Sequence, residues 1–115
     1  MPADAAPEGT GEVLVYVTAA NRQQALELGR LAVEERLAAC ANVLAPMESI
    51  YWWQGAVETA TESVLILKTR ADLAPALIDR LRAVHSYDIP AIVVLPILAG
   101  NPGYLAWIRA ETRKS

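Results

Sequence analysis

The side chains able to do chemistry are few in this sequence. Its one histidine, His85, stands in RLRAVHSYDIPAIVVLP (residues 80–96), and its one cysteine, Cys40, in EERLAACANV. Glu58, Glu62 and Lys68 fall together in VETATESVLILKT. A neutral imidazole suits Cu²⁺ or Zn²⁺, and copper heads the divalent affinity order. A specific site needs three or four donors, and the chain supplies one His, one Cys and two Met. Asp88, Glu58 or Glu62 of another subunit would complete a mixed nitrogen and oxygen set around His85. The plainer reading of His85 is a polar residue in the last turn of a helix, favoured there by the helix dipole.

Cys40 reads either as a copper or redox thiol, which needs exposure and a depressed pKa, or as a small buried hydrophobe. Glu58 and Glu62, four apart on a strand, share one side of the sheet with Val64, Ile66 and Lys68. Such a face can do acid–base work or hold an anion beside Lys68. Otherwise it is a solvated hairpin with weak ion pairs. Tyr51 and Trp53 point to one side of that hairpin and Trp52 to the other, as packing or interface anchors or as stacking surfaces for a ligand. Ser63, Ser86 and Thr69 have no histidine–carboxylate neighbours in sequence, and the six glycines are scattered, with no phosphate loop.

The elements that must position these groups are legible. EVLVYVTA (12–19) is a strand rich in β-branched residues. Asn21 caps the helix that follows, with Gln24 as its reciprocal partner. Over RQQALELGRLAVEERLAAC the polar strip is Glu27, Arg30 and Glu34, and Ala25, Leu28, Ala32 and Ala39 form the covered face. Two long strands meet at Gln54–Gly55, where Gly55 takes the positive φ of a tight turn. Pro46 implies an edge strand or a bulge. Leu73, Leu77, Leu81 and Val84 recur at helical spacing, and that helix must end before Pro90. AIVVLPIL is a last strand, and Asn101–Pro102 opens a terminal helix.

The order β-α-β-β-α-β defines an α+β, ferredoxin-like sandwich with an additional C-terminal helix. The expected organisation is a disordered lead over residues 1–11 and a single domain over 12–115. VLVYV, VLILK and IVVLPIL are apolar on both faces, whereas an open sheet face should alternate. The 54% apolar share exceeds the usual ~45–50%, so self-association through the sheet is expected. Net charge is −3 with no basic cluster, which argues against nucleic acid. No apolar run reaches the ~20 residues of a membrane helix. A single cysteine and an N-terminus without a secretory pattern fit a soluble cytoplasmic protein.

Several stretches in register resemble the CutA family, named for divalent-cation tolerance. EERLAACANV is similar to its helix-to-strand passage, SIYWWQGAVETATESVLILKT to its long hairpin, HSYDIPAIVVLPI to its His-Pro-Tyr-Glu-x-Pro-Glu stretch, and GNPGYLAWI to its closing segment. Trp53, Gly55, Glu58, Glu62, Lys68, Thr69, His85, Tyr87 and Pro90 match the family pattern. Gln54, Ser86, Asp88 and Ala91 depart from it, and Val17 stands where some members carry a copper-linked cysteine.

The resemblance implies a homotrimer associated with copper and other divalent metals, and the first expectation is a non-enzymatic protein acting in metal-ion response. It implies weak binding of copper or another divalent cation, not required for folding. The expected metal donors are His85, Asp88 and Cys40, and the expected intersubunit cleft holds Trp53, Glu58, Glu62, Lys68 and Tyr87. Two alternatives stand beside it. One is a PII-like small-ligand regulatory module; the other is an enzyme using Lys68, Glu62, His85 and Tyr87 on a small anion.

Overall fold

The apolar alternation along residues 12–19 and 63–69 fixes the centre of the molecule, because it commits every second side chain to one sheet face. A computed structural model describes residues 9–114. Its elements are β1 (Glu12–Ala19), α1 (Arg22–Glu34), β2 (Cys40–Trp53), β3 (Ala56–Arg70), α2 (Ala74–Val84, entered through a 3-10 turn), β4 (Ile92–Pro96) and α3 (Pro102–Ala110). The expected order is therefore the observed one. The sheet runs β2-β3-β1-β4 with every neighbouring pair antiparallel.

On one face Val13, Val15, Val17 and Ala19 of β1 join Leu65 and Leu67 of β3. Ala25, Leu28 and Ala32 of α1 and Leu77 and Leu81 of α2 cover them, forming the core. Gly29 lies where α1 meets the sheet, and a Cβ there would stand 3.0 Å from Ala41 Cβ and 3.1 Å from Leu65 Cδ1. Gly29→Val is therefore expected to destabilise the chain by about 1–3 kcal/mol through overpacking, despite the helix-forming gain over glycine. A fall in thermal midpoint against wild type at the same protein concentration checks this.

The helix expected to run through Ala39 stops at Glu34. Arg36 takes a positive φ of 59°, its N–H bonds Val33 O, and the Leu37 N–H bonds Ala32 O. This is a Schellman stop with Arg in the place usually held by Gly or Asn, locked by burial of Leu37. Ala39 is thus outside the helix and donates to Lys68 O. Arg80 on α2 grips Glu35 through Nε and Nη2, at 3.0 and 2.9 Å. That hydrogen bonding holds the Glu35 carboxyl below its usual range.

Pro46 fulfils both expectations at once. β2 is an edge strand, and its register with β3 jumps from Leu44↔Val64 to Met47↔Glu62, so Ala45 and Pro46 together oppose Ser63. The bulge belongs to β2, so β3 alternates without interruption. The hairpin closes at Trp53↔Ala56. Both turn residues have positive φ, Gln54 at 49° and Gly55 at 81°, the geometry of a type I′ turn.

The second sheet face is only partly covered. α3 lies over one end of it: Leu105 and Ile108 are buried, and Arg109 Nη1 donates to Glu12 Oε1 at 2.8 Å. Away from α3, Leu44, Val93 and Leu95 share that face by register, opposite Val64, Tyr16 and Leu14, and all three are exposed. The hairpin tip projects beyond the helices, with Ile50 and Trp52 74% and 75% exposed.

Of the lead expected over residues 1–11, positions 1–8 lie outside the described residues. Further on, the Thr10 N–H donates to Ile97 O, and Gly11 O accepts from the Ala71 N–H. No helix among the described residues is long and apolar enough to cross a membrane.

Candidate functional site

The β2 bulge decides which hairpin side chains meet. Cys40, Asn42 and Leu44 lie on the second sheet face, and the two-for-one count brings Met47, Ser49, Tyr51 and Trp53 onto that same face afterwards. The Tyr16 hydroxyl of β1 reaches across β3 to Met47 Sδ at 3.6 Å. Tyr51 and Trp53 consequently stand beside Glu62. The segment between α2 and β4 closes over them and bounds a cleft of about 540 Å³ with Tyr87, Asp88 and Ile89.

His85 builds that closing segment. It is the C-cap of α2, its backbone extended at φ −73° and ψ 144°, rather than a residue of the last helical turn. Its Nε2 meets Thr18 O at 2.8 Å, and its Nδ1 accepts from the Tyr87 N–H at 3.0 Å. A carbonyl only accepts, so the ring carries its proton on Nε2 and presents the Nδ1 lone pair to Tyr87. The ring ties the end of α2 to β1 and orients Tyr87, whose own ring lies 4.8 Å away.

Tyr87 then reaches the hairpin. Its hydroxyl donates to Glu62 Oε2 at 2.8 Å. Burial first, and the Glu62 carboxylate second, push the Tyr87 phenol up to about 12. A group whose folded pKa is raised loses its stabilising contribution as pH climbs, because the unfolded chain releases the proton first. The Tyr87 contribution is therefore full below about pH 10, the ordinary phenol value, and fades toward pH 12. A phenolate absorbance titration of wild type is expected to contain a late step near pH 12 that Tyr87→Phe lacks. A late step that persists in Tyr87→Phe would refute the Tyr87–Glu62 contact as its source.

The remaining candidates lie elsewhere. Lys68 is opposite Cys40 in register, six residues along β3 from Glu62, or roughly 20 Å at 3.3 Å per residue. Its ammonium sits 5.5 Å from the centre of the Tyr104 ring on α3, which supplies the partner a half-buried lysine needs. Cys40 is partly buried. It borders a different groove of about 720 Å³, walled by Leu26 and Val33 of α1 and by Trp107. Glu58 is exposed near the hairpin tip.

The structure thus brings Trp53, Glu62, Tyr87 and Asp88 together and sets Cys40 and Lys68 at the other end of the sheet. His85, Asp88 and Cys40 do not meet in one protomer. Among the described residues no three His, Cys, Asp or Glu side chains converge as a metal-binding group. Sequence reasoning missed Thr18, whose carbonyl anchors His85, and Glu12 with Arg109. The one signal for the latter was a carboxylate opening an otherwise apolar strand.

A four-stranded antiparallel sheet with α1 and α2 on one face, a terminal helix on part of the other and a projecting hairpin defines an α+β fold. Residues 13–111 match the family model described as CutA1 divalent ion tolerance protein, and the chain belongs to that family. It is 44% identical over 103 residues to the chloroplastic protein CutA 1 of Oryza sativa, covering 90% of this chain and 58% of the relative. It is 43% identical to the divalent-cation tolerance protein CutA of Thermus thermophilus, covering 88% of this chain and 98% of the relative. The chain therefore spans little more than half the length of the rice relative and nearly all of the bacterial one. The crystal structure of CutA1 from Oryza sativa superposes with a TM-score of 0.89 at 42% identity, covering 93% of this chain and 98% of that one. The structure of the periplasmic divalent cation tolerance protein CutA from Archaeoglobus fulgidus gives a TM-score of 0.84 at 36% identity, covering 87% of this chain and 97% of that one.

Proposed function

We propose that this chain works in divalent-cation tolerance as a non-enzymatic homotrimer of ferredoxin-like protomers that binds divalent cations weakly at clefts bordered by Glu62 and Asp88. The observation that carries assembly is the second sheet face. Leu44 on one edge strand and Val93 and Leu95 on the other are apolar and exposed on that face, and a small protein gains by burying such surface against another copy. Three copies are what the family resemblance implies.

Weak rather than tight binding follows from the donors present in the protomer. Both ring nitrogens of His85 are engaged inside the chain, so carboxylate oxygens are left as the accessible ligands near the cleft. The same engagement supports a binding protein over an enzyme, since a ring held at both nitrogens is poorly placed to move a proton to a substrate. The lone cysteine supports a reducing compartment such as the cytoplasm.

Sedimentation velocity on wild type is expected to give three times the protomer mass, and a stable protomer at micromolar concentration would overturn the trimer. Calorimetry with Cu²⁺ tests the cation. Glu62→Gln with Asp88→Asn should lose the heat that wild type gives, and a titration unchanged in that pair removes the cleft from the account.

A second reading, a PII-like small-ligand regulatory module, is favoured by the size and aromatic walls of the Tyr51–Trp53–Tyr87 cleft. A thermal-shift screen of metabolites separates the two. A ligand at 100 times its Kd should add about 2.7 kcal/mol of stability.

A further inference from the structure

We propose that the cleft between the hairpin and the α2–β4 segment is a site for an organic ammonium ion with an apolar body, held by Glu62 and Asp88 against the rings of Tyr51, Trp53 and Tyr87. The inference concerns the same cleft as the cation reading and goes beyond it, because it stands on the lining and shape of the cleft itself.

Charge is the first ground. Glu62 and Asp88 are the carboxylates of the lining, and none of the residues that line the cleft is Lys, Arg or His. Within the protomer, a cation entering it meets attraction without a competing positive group among the lining residues, and an anion meets repulsion.

The second ground is shape. At about 540 Å³ the cleft falls in the range of small-molecule sites, ~300–1,000 Å³. A bare divalent ion would need several donors within ~2.0–2.6 Å of one point, and no such group converges among the described residues. An organic cation has no such need. One carboxylate satisfies its charge, and aromatic faces attract the ammonium and its adjoining methylenes together.

Preorganisation is the third. Glu62 is held by the Tyr87 hydroxyl at 2.8 Å, and Tyr87 is held at its backbone by His85. The carboxylate and one aromatic wall are therefore fixed before a ligand arrives, which lowers the ordering cost of binding. Trp53, at 52% exposure, still has ring surface to give.

The test is calorimetry at low ionic strength with n-hexylammonium chloride, and with 1-hexanol and sodium hexanoate as neutral and anionic counterparts of the same length. The expected result is saturable binding of hexylammonium, with hexanol and hexanoate weaker by at least ~10-fold. Glu62→Gln should weaken hexylammonium at least ~10-fold, as loss of a charge-assisted contact does. Trp53→Ala, a change at an exposed side chain, should weaken it by ~3-fold or more. Equal affinity for hexanol, an unchanged Kd in both variants, or no saturable binding to wild type overturns the proposal. Cu²⁺ titrated into the same samples keeps the two readings apart. Copper uptake without hexylammonium binding ends this inference alone. Hexylammonium binding without copper uptake ends the metal reading and leaves the organic cation standing.

Discussion

Arg109→Met is expected to destabilise the fold by about 3 kcal/mol, the low end of the cost of stripping a buried charge of its partner. Glu12 opens β1 and is 1% exposed, covered from the second sheet face by α3. Arg109 Nη1 reaches Glu12 Oε1 at 2.8 Å, while the arginine side chain stays half exposed. Removing the guanidinium leaves a carboxylate in a desolvated position with its charge unmatched. Keeping water on the arginine side is what holds the figure at the low end.

The double variant Glu12→Leu with Arg109→Met should recover most of the loss, because an apolar pair of similar size replaces the ion pair at little cost. Denaturant unfolding at fixed protomer concentration reads both, as a lower midpoint for the single variant with its slope unchanged. A single variant within 0.5 kcal/mol of wild type would show that the pair carries no burial penalty.

The second large effect concerns assembly. Ile50 and Trp52 stand on one face of the projecting hairpin, about three-quarters exposed and far from the protomer's own core. Placing aspartate at both, Ile50→Asp with Trp52→Asp, should leave the protomer folded, since neither side chain contributes to the core. If this face lies between subunits, burial of the two side chains is worth roughly 1.5–3 kcal/mol each, repeated at every interface. Two carboxylates in their place turn that gain into a desolvation cost. The expected sedimentation result is a shift from trimer to protomer mass with an unchanged far-ultraviolet circular dichroism spectrum. Glu27→Gln, on the exposed strip of α1, is the control that should remain assembled. A double variant that keeps the wild-type mass would move the interface away from the hairpin tip and onto the sheet face.

Much of the scaffold was legible from residue order, for reasons that are local. The strand periods, the Asn21 and Asn101 caps and the turn at Gly55 all act within a few residues of themselves. The Asn21 side chain accepts from the Gln24 N–H, and the Gln24 side chain accepts from the Ala20 N–H, one residue before the cap, a variant of the capping box visible in the letters alone. The end of α1 was not legible. Its stop uses Arg36 in a left-handed conformation, and nothing in Glu-Glu-Arg-Leu announces that. The burial of Leu37 and the contact of Arg36 Nη1 with Glu111, seventy-five residues away, make the conformation worthwhile.

The candidate site divides in the same way. Glu62, Tyr87 and Trp53 were singled out from the sequence, and all three border one cleft. Their meeting depends on the Ala45–Pro46 bulge, which switches the parity of β2 so that Tyr51 and Trp53 share a face with Glu62. Without it the two aromatics would point the other way. His85 and Cys40 were also singled out, and the fold separates them.

The sequence by itself determined the element order, the parts of the covered helix faces made by Ala25, Leu28 and Ala32 and by Leu77 and Leu81, and the surplus of apolar strand surface. These follow from periodicity and from chain-local chemistry. Only the tertiary structure decided that His85 spends both ring nitrogens on Thr18 and Tyr87, that Glu12 is buried against Arg109, and that two carboxylates meet three aromatic rings in one cleft. Each of those depends on which distant segments come into register. A one-residue slip in β2 would erase the cleft while leaving the composition and every local propensity unchanged.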